Sequence, residues 1–200
     1  SGHTSVISGM DECYHDFKYR RQHYETFLKE FYRTSPRRIG YKLIASQHDA
    51  AMVYSIFEPS IKVIYLYREN ILATYSSEQI AKATGQDRVD VGSDVIESKA
   101  VFEPVEFRKR CRARLARHDL YLELLKRSRK RYFVLEYQEL QSPEKRRQLL
   151  EFLGVEPKFE LVSQYVKRNS GDIVSRFANP DDVMNSLQEM GRLEWAVEGS

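Results

Sequence analysis

Apolar positions recur along this chain with two periods, and together they lay out alternating helices and strands. Tyr24, Phe27, Leu28, Phe31 and Tyr32 fall three or four apart, which predicts a helix over residues 21–33 with Pro36 just beyond it. Ile39, Tyr41, Leu43 and Ala45 alternate as a strand does. Residues 49–58 read as a short helix closed by Pro59. From Ile61 to Tyr67 every position except Lys62 is apolar, the pattern of a strand covered on both faces. A helix over about 70–84 follows and ends near Gly85.

Residues 86–103 show no clean period and contain Gly92, so they read as a mobile or substrate-facing loop. Phe107, Cys111, Leu115, His118, Leu122 and Leu125 then form a stripe that predicts one long helix. Tyr132 to Tyr137 predicts a second apolar strand. Ser142 followed by Pro143 has the form of an N-cap and first helical residue, and Gly154 that of a terminator. Asn179-Pro180-Asp181-Asp182 opens a last helix by the same logic, with acids in its first turn. No internal repeat or low-complexity segment interrupts this order. Strands alternating with helices predict an α/β fold with a parallel central sheet in three layers. Ligands of such sheets bind at the carboxyl ends of the strands, where Arg68 and Tyr137 fall.

Composition changes this picture little. Two hundred residues suit a single domain over 1–200 with a true core. No apolar run approaches the roughly 20 residues that span a bilayer, and no secretory leader is expected in the sequence as read. Cys13 and Cys111 have neither metal-ligand spacing nor the look of a disulfide framework, so a cytoplasmic setting is the default, with an upstream anchor left open. The net charge is only +3, but cations cluster at 108–118 and 126–131. Three readings are open for them: a solvated helix face, a nucleic-acid patch, or arginines facing an anionic nucleotide or acceptor.

The sharpest chemistry lies in IKVIYLYRENILATYSSEQIAKAT, residues 61–84. A strand runs into Arg68, then into a helix that carries Ser76 eight residues on, with Ser77 beside it. A helix N-terminus offers free N–H groups and a positive dipole end, and a guanidinium adds two parallel charge-assisted bonds to a phosphate. The alternative is a structural ion pair at Arg68.

This stretch resembles the 3′-phosphate-binding motif of PAPS-dependent sulfotransferases, in which a strand ends in Arg and a helical Ser follows at the same spacing. RRIGYKLIASQHDA (37–50), YFVLEYQELQSPEKRRQLLEFLGVEP (132–157) and VKRNSGDIVSRFANPDDV (166–183) resemble, in order, further segments of the bacterial carbohydrate members that sulfate trehalose, lipopolysaccharide or Nod factors. The resemblance implies a P-loop nucleotide-binding three-layer sandwich, here apparently without its first strand. It implies PAPS as donor, PAP as product, and the hydroxyl of a carbohydrate or glycolipid as acceptor. Ser1, Gly2, His3 and Thr4 resemble the second half of the turn that cradles the 5′-phosphosulfate, although the basic residue before it is absent and His3 replaces a small hydroxyl residue. An expression remnant over 1–3 is the other reading of that segment.

Arg68 with Ser76 or Ser77 would hold the 3′-phosphate, Tyr137 would contact the adenine, and Lys167 and Arg168 would come from a basic loop onto the nucleotide. Glu12 and His48 are the candidates for the base that takes the acceptor proton, with His15 behind them. No metal is implied. Acceptor contacts are expected from 11–23 and 86–103. Two alternatives remain beside the enzyme: a catalytically impaired PAP- or PAPS-binding relative, and a basic helical module on nucleic acid.

Overall fold

The computed structural model describes residues 40, 42–43, 49–86, 96, 98–156 and 171–198. The helix expected over 21–33, the strand over 39–45 and the acceptor segment 11–23 lie wholly or largely outside them. The described elements make a mixed α/β fold with a two-stranded parallel sheet and five α-helices. The chain divides into two compact units, Ser1–Val63 with Leu124–Arg131, and Ile64–Glu123 with Tyr132–Ser200.

In the first unit, helix α1 (Asp49–Phe57) ends on a cation. Lys130 Nζ donates to the carbonyl oxygens of Ser55, Glu58 and Ile61 at 2.6, 2.9 and 2.9 Å. Those are carbonyls of the last helical turn and the turn after it, where no intrahelical donor remains and the dipole is negative. Burial pulls the Lys130 ammonium below the ordinary lysine range, with the Glu58 carboxylate opposing. Arg129, at φ 56°, makes the reversal that aims Lys130 there. Lys130→Met should therefore cost about 2 kcal/mol, allowing for partial solvent access to the three carbonyls. Urea denaturation followed by circular dichroism measures it, and a loss within error would show that water replaces the ammonium freely.

The second unit holds strand β1 (Val63–Tyr67) from Ile64 on and helix α2 (Ile71–Thr84), then α3 (Pro104–Arg127) as far as Glu123, β2 (Tyr132–Glu136), α4 (Pro143–Leu153) and α5 (Pro180–Met190), as the chain runs. Caps explain the boundaries, and those at Gly85, Ser142-Pro143 and Gly154 are the ones read from sequence. Asn70 Oδ1 accepts from Ala73 N at 3.0 Å to start α2. Gly85, at φ 69°, ends it with a bond from its N–H to Ala81 O, a left-handed turn that other residues adopt only at a cost. Ser142 caps α4 with Pro143 in its first turn, and Gly154 closes it at φ 71°.

Three expectations change. Among the described residues, β1 is covered on one face only. Tyr65 and Tyr67 pack on α3, with Tyr65 Oη and His118 Nδ1 sharing a hydrogen bond at 3.1 Å, while Ile64 and Leu66 are 38% and 50% exposed. An apolar run shows that both faces suit a partner, not that both have one. Burial pushes the Tyr65 phenol up to about 12. On α3 the buried stripe is Phe107, Cys111, Tyr121 and Leu125, and Leu115 is exposed, because each step of four residues advances about 40° and carries it roughly 80° round the helix from Phe107 and Leu125, to the edge of the stripe. Burial pushes the Cys111 thiol up to about 11.

The third change concerns the expected loop 86–103. Its last residues belong to the core. Ala100 and Phe102 are buried, and Ala100 bridges Phe177 in parallel. Asn179 holds Phe102 through both backbone groups, Oδ1 from its N–H at 2.8 Å and Nδ2 to its carbonyl at 3.0 Å. Around them an aromatic core forms from Tyr75, Phe102, Phe107, Phe177 and Trp195, with Leu72, Ile173, Val183 and Leu187.

Candidate functional site

The carboxyl ends of β1 and β2 come together. Glu136, the last residue of β2, accepts from Glu69 N at 3.1 Å and from Gln138 N at 2.5 Å. The first bond ties the end of one strand to the other. The second starts the short 3-10 turn Tyr137–Gln141. Tyr137 thereby lies under Arg68, whose guanidinium carbon stands 4.6 Å from the ring centroid. Two of the residues singled out in the sequence thus meet where an open α/β sheet places its ligands.

Arg68 is not free. Its Nε and Nη2 donate to the two carboxylate oxygens of Glu198 at 2.7 and 2.5 Å. The Arg68 side chain is 19% exposed and that of Glu198 only 1%. This is the ion pair that stood as the alternative for Arg68. Ser76 is fully buried on α2. Its hydroxyl donates to Ala73 O at 3.0 Å and accepts from Arg176 Nη1 at 2.9 Å. Arg176 is itself buried. Burial works against its charge and lowers its pKa, the Glu198 carboxylate supports the charge, and Arg68 opposes it. One guanidinium therefore grips the carboxylate directly, and a second, bonded to the Ser76 hydroxyl, feels its charge.

The segment bearing Glu198 is stitched to the same place. Asn70 Nδ2 donates to the carbonyls of Trp195 and Val197 at 3.1 and 3.3 Å. One amide side chain thus caps α2 and holds the neighbouring segment. Ser77, the alternative hydroxyl, donates to Ala73 O at 2.9 Å and lines an open groove on α2 with Thr74, Glu78, Ala81, Lys82 and Gly85. The two serines thus point to different surroundings.

Ser1, Gly2, His3, Thr4, Glu12, His15, His48, Lys167 and Arg168 lie outside the described residues. Sequence reasoning missed Arg176, Glu198 and Asn70. Arg176 lies in the very stretch, 166–183, from which Lys167 and Arg168 were chosen. Its signal was a single cation set between the apolar Val174 and Phe177.

The basic helix is more neutral than its sequence. Arg110 pairs with Glu106 at 2.8 Å and with Glu78, Arg114 reaches Glu78 at 3.8 Å, and Arg108 reaches Glu189 at 3.1 Å. Among the described residues no helix is long and apolar enough to cross a membrane, and no cluster of His, Cys, Asp and Glu is placed to hold a metal ion. Comparison with protein-family models, with curated proteins and with solved structures found no match to this chain.

Proposed function

We propose that this chain is a PAPS-dependent O-sulfotransferase, built as a P-loop-type three-layer sandwich, acting on the hydroxyl of a carbohydrate or glycolipid. One observation carries the reading: where β1 gives way to α2, the Arg68 fork holds the Glu198 carboxylate, and Arg176, which feels the same carboxylate's charge, bonds to the Ser76 hydroxyl. A phosphate monoester dianion asks for the same fork of donors, second cation and hydroxyl. Tyr137 offers a ring beside it for a base. In the reaction, the acceptor oxygen bonds to sulfur as the bond from sulfur to the 5′-phosphate oxygen breaks. The acceptor proton goes to Glu12 or His48, and PAP leaves. The turn Ser1-Gly2-His3-Thr4 would hold the 5′ end, and Lys167 and Arg168 the nucleotide. Positioning and charge stabilisation do most of the work in such a displacement.

A second reading is favoured by the burial of Glu198. In it the Arg68–Glu198 pair is purely structural, and the chain takes no nucleotide. Calorimetry with PAP separates the two. PAP should bind, ADP, which lacks the 3′-phosphate, should bind at least about tenfold more weakly, and Arg68→Lys should lose a similar factor because it keeps the charge but not the fork. Absence of PAP binding by the wild-type chain would end the donor reading. Transfer of labelled sulfate from PAPS to a glycan panel then distinguishes an enzyme from a relative that only binds. The acids paired with the α3 arginines weigh against a nucleic-acid module, whose mark would be salt-sensitive RNA binding without PAP binding.

A further inference from the structure

The anion that fills the site is the chain's own. Glu198 gives both oxygens to the Arg68 fork, and its side chain is almost wholly buried. The backbone that carries it is fastened mainly by polar contacts. Glu198 N donates to Gly171 O at 2.8 Å, and Ile173 N donates to Ala196 O at 2.9 Å. Val197 bridges Asp172 in antiparallel fashion, and Asn70 holds two carbonyls. The main apolar anchor is Trp195, which lies in the core; the small Ala196 packs against that core from its edge, and Val197 is 61% exposed. Beyond Ala196 the segment can therefore come away without opening the aromatic core.

We propose that Glu198 is a built-in competitor for the phosphate subsite, and that Val197 and Glu198 lift, pivoting at Ala196, to admit the terminal phosphate of the ligand. The inference rests on the nucleotide reading above and deepens it. In the absence of ligand, the carboxylate keeps Arg68 and Arg176 from being buried without a counter-charge. A phosphate dianion brings two charges and three acceptor oxygens to the same donors, so it outcompetes one carboxylate. The displaced Glu198 returns to water. The trade makes binding dependent on a doubly charged ligand group, since a singly charged one gains nothing over the resident carboxylate.

Three measurements test this. Glu198→Gln removes the competing charge at nearly constant shape, and it should bind PAP about tenfold more tightly than wild type. Glu198→Ala leaves the Arg68 fork without its acceptor, and sodium sulfate should raise its melting temperature more than sodium chloride at equal ionic strength, an excess absent in wild type. In the wild-type chain, PAP should speed hydrogen exchange at the amides of Ile173 and Glu198. If PAP binds both proteins equally and those amides keep their protection, the competitor role is overturned and the nucleotide reading survives. If PAP binds neither protein but sulfate selectively stabilises Glu198→Ala, the nucleotide reading falls and the masked anion site stands. If neither PAP nor sulfate has an effect, both fall. Should both variants fail to fold, the exchange measurement on the wild-type chain decides alone.

Discussion

Arg68→Ala should destabilise the protein by about 3 kcal/mol, the low end of the range for breaking a buried ion pair by removing one partner. The cost comes less from the lost attraction than from what stays behind. Glu198 would remain almost fully buried with its two best donors gone. Arg176 still supports its charge, which is why the low end applies. Removing the acid as well should recover part of the loss, because Arg68→Ala with Glu198→Ala leaves no uncompensated carboxylate. A double-mutant cycle in urea, read by circular dichroism, should give a coupling of about 2 kcal/mol between the two positions. A single-variant loss below about 1 kcal/mol would mean that Glu198 reaches water in solution, and that the pair is worth no more than an exposed one.

The elements were legible where local chemistry decides them. Gly85, Ser142-Pro143 with Gly154, and Asn179-Pro180 bound helices as their side chains and backbone preferences require, while the structure adds Asn70 and Gly191. Asn179 does so with a difference. Its side chain accepts no bond from a backbone N–H of its own helix, and its amide is spent on the backbone of Phe102 and the carboxylate of Asp182. A sequence announces that an asparagine suits a helix start, but not which backbone will claim it.

The strand ends were legible too, since two apolar runs followed by Arg68 and Tyr137 place both residues at the same edge of a parallel pair. The partners were not. Glu198 lies 130 residues from Arg68, and Arg176 lies 100 from Ser76. Nothing in local spacing links them. A carboxylate near the end of an Ala-Val-Glu run has no periodicity to mark it as buried, and an arginine next to Phe177 looks like any surface cation. Charge runs misled in the opposite direction: the arginines of α3 look unopposed in sequence, yet Glu78 and Glu189 reach them from other helices.

Phe107→Ala should cost about 4 kcal/mol and lower the melting temperature by roughly 10 °C. Phe107 is fully buried, with the rings of Phe102, Tyr75 and Trp195 centred 5.1, 5.3 and 6.5 Å away. Phe177 stacks on Tyr75 at 6.1 Å and meets Phe102 edge-on at 5.4 Å, so the cavity would open inside a closed set of rings with little freedom to collapse. Leu115→Ala is the matched control. It lies on the same helix and in the stripe that the sequence suggests, but at 43% exposure it should change stability by no more than about 0.5 kcal/mol. The core variant should also weaken the site, because Tyr75 and Phe177 adjoin Ser76 and Arg176 in the chain, and their ring contacts set the distance across which Arg176 reaches the Ser76 hydroxyl. Calorimetric melting of the two variants checks the first claim, and PAP titration below the lowered melting temperature checks the second. Equal losses for Phe107→Ala and Leu115→Ala would put the helix in the register that the sequence stripe implied, and with it would remove the aromatic floor on which the two arginines are proposed to stand.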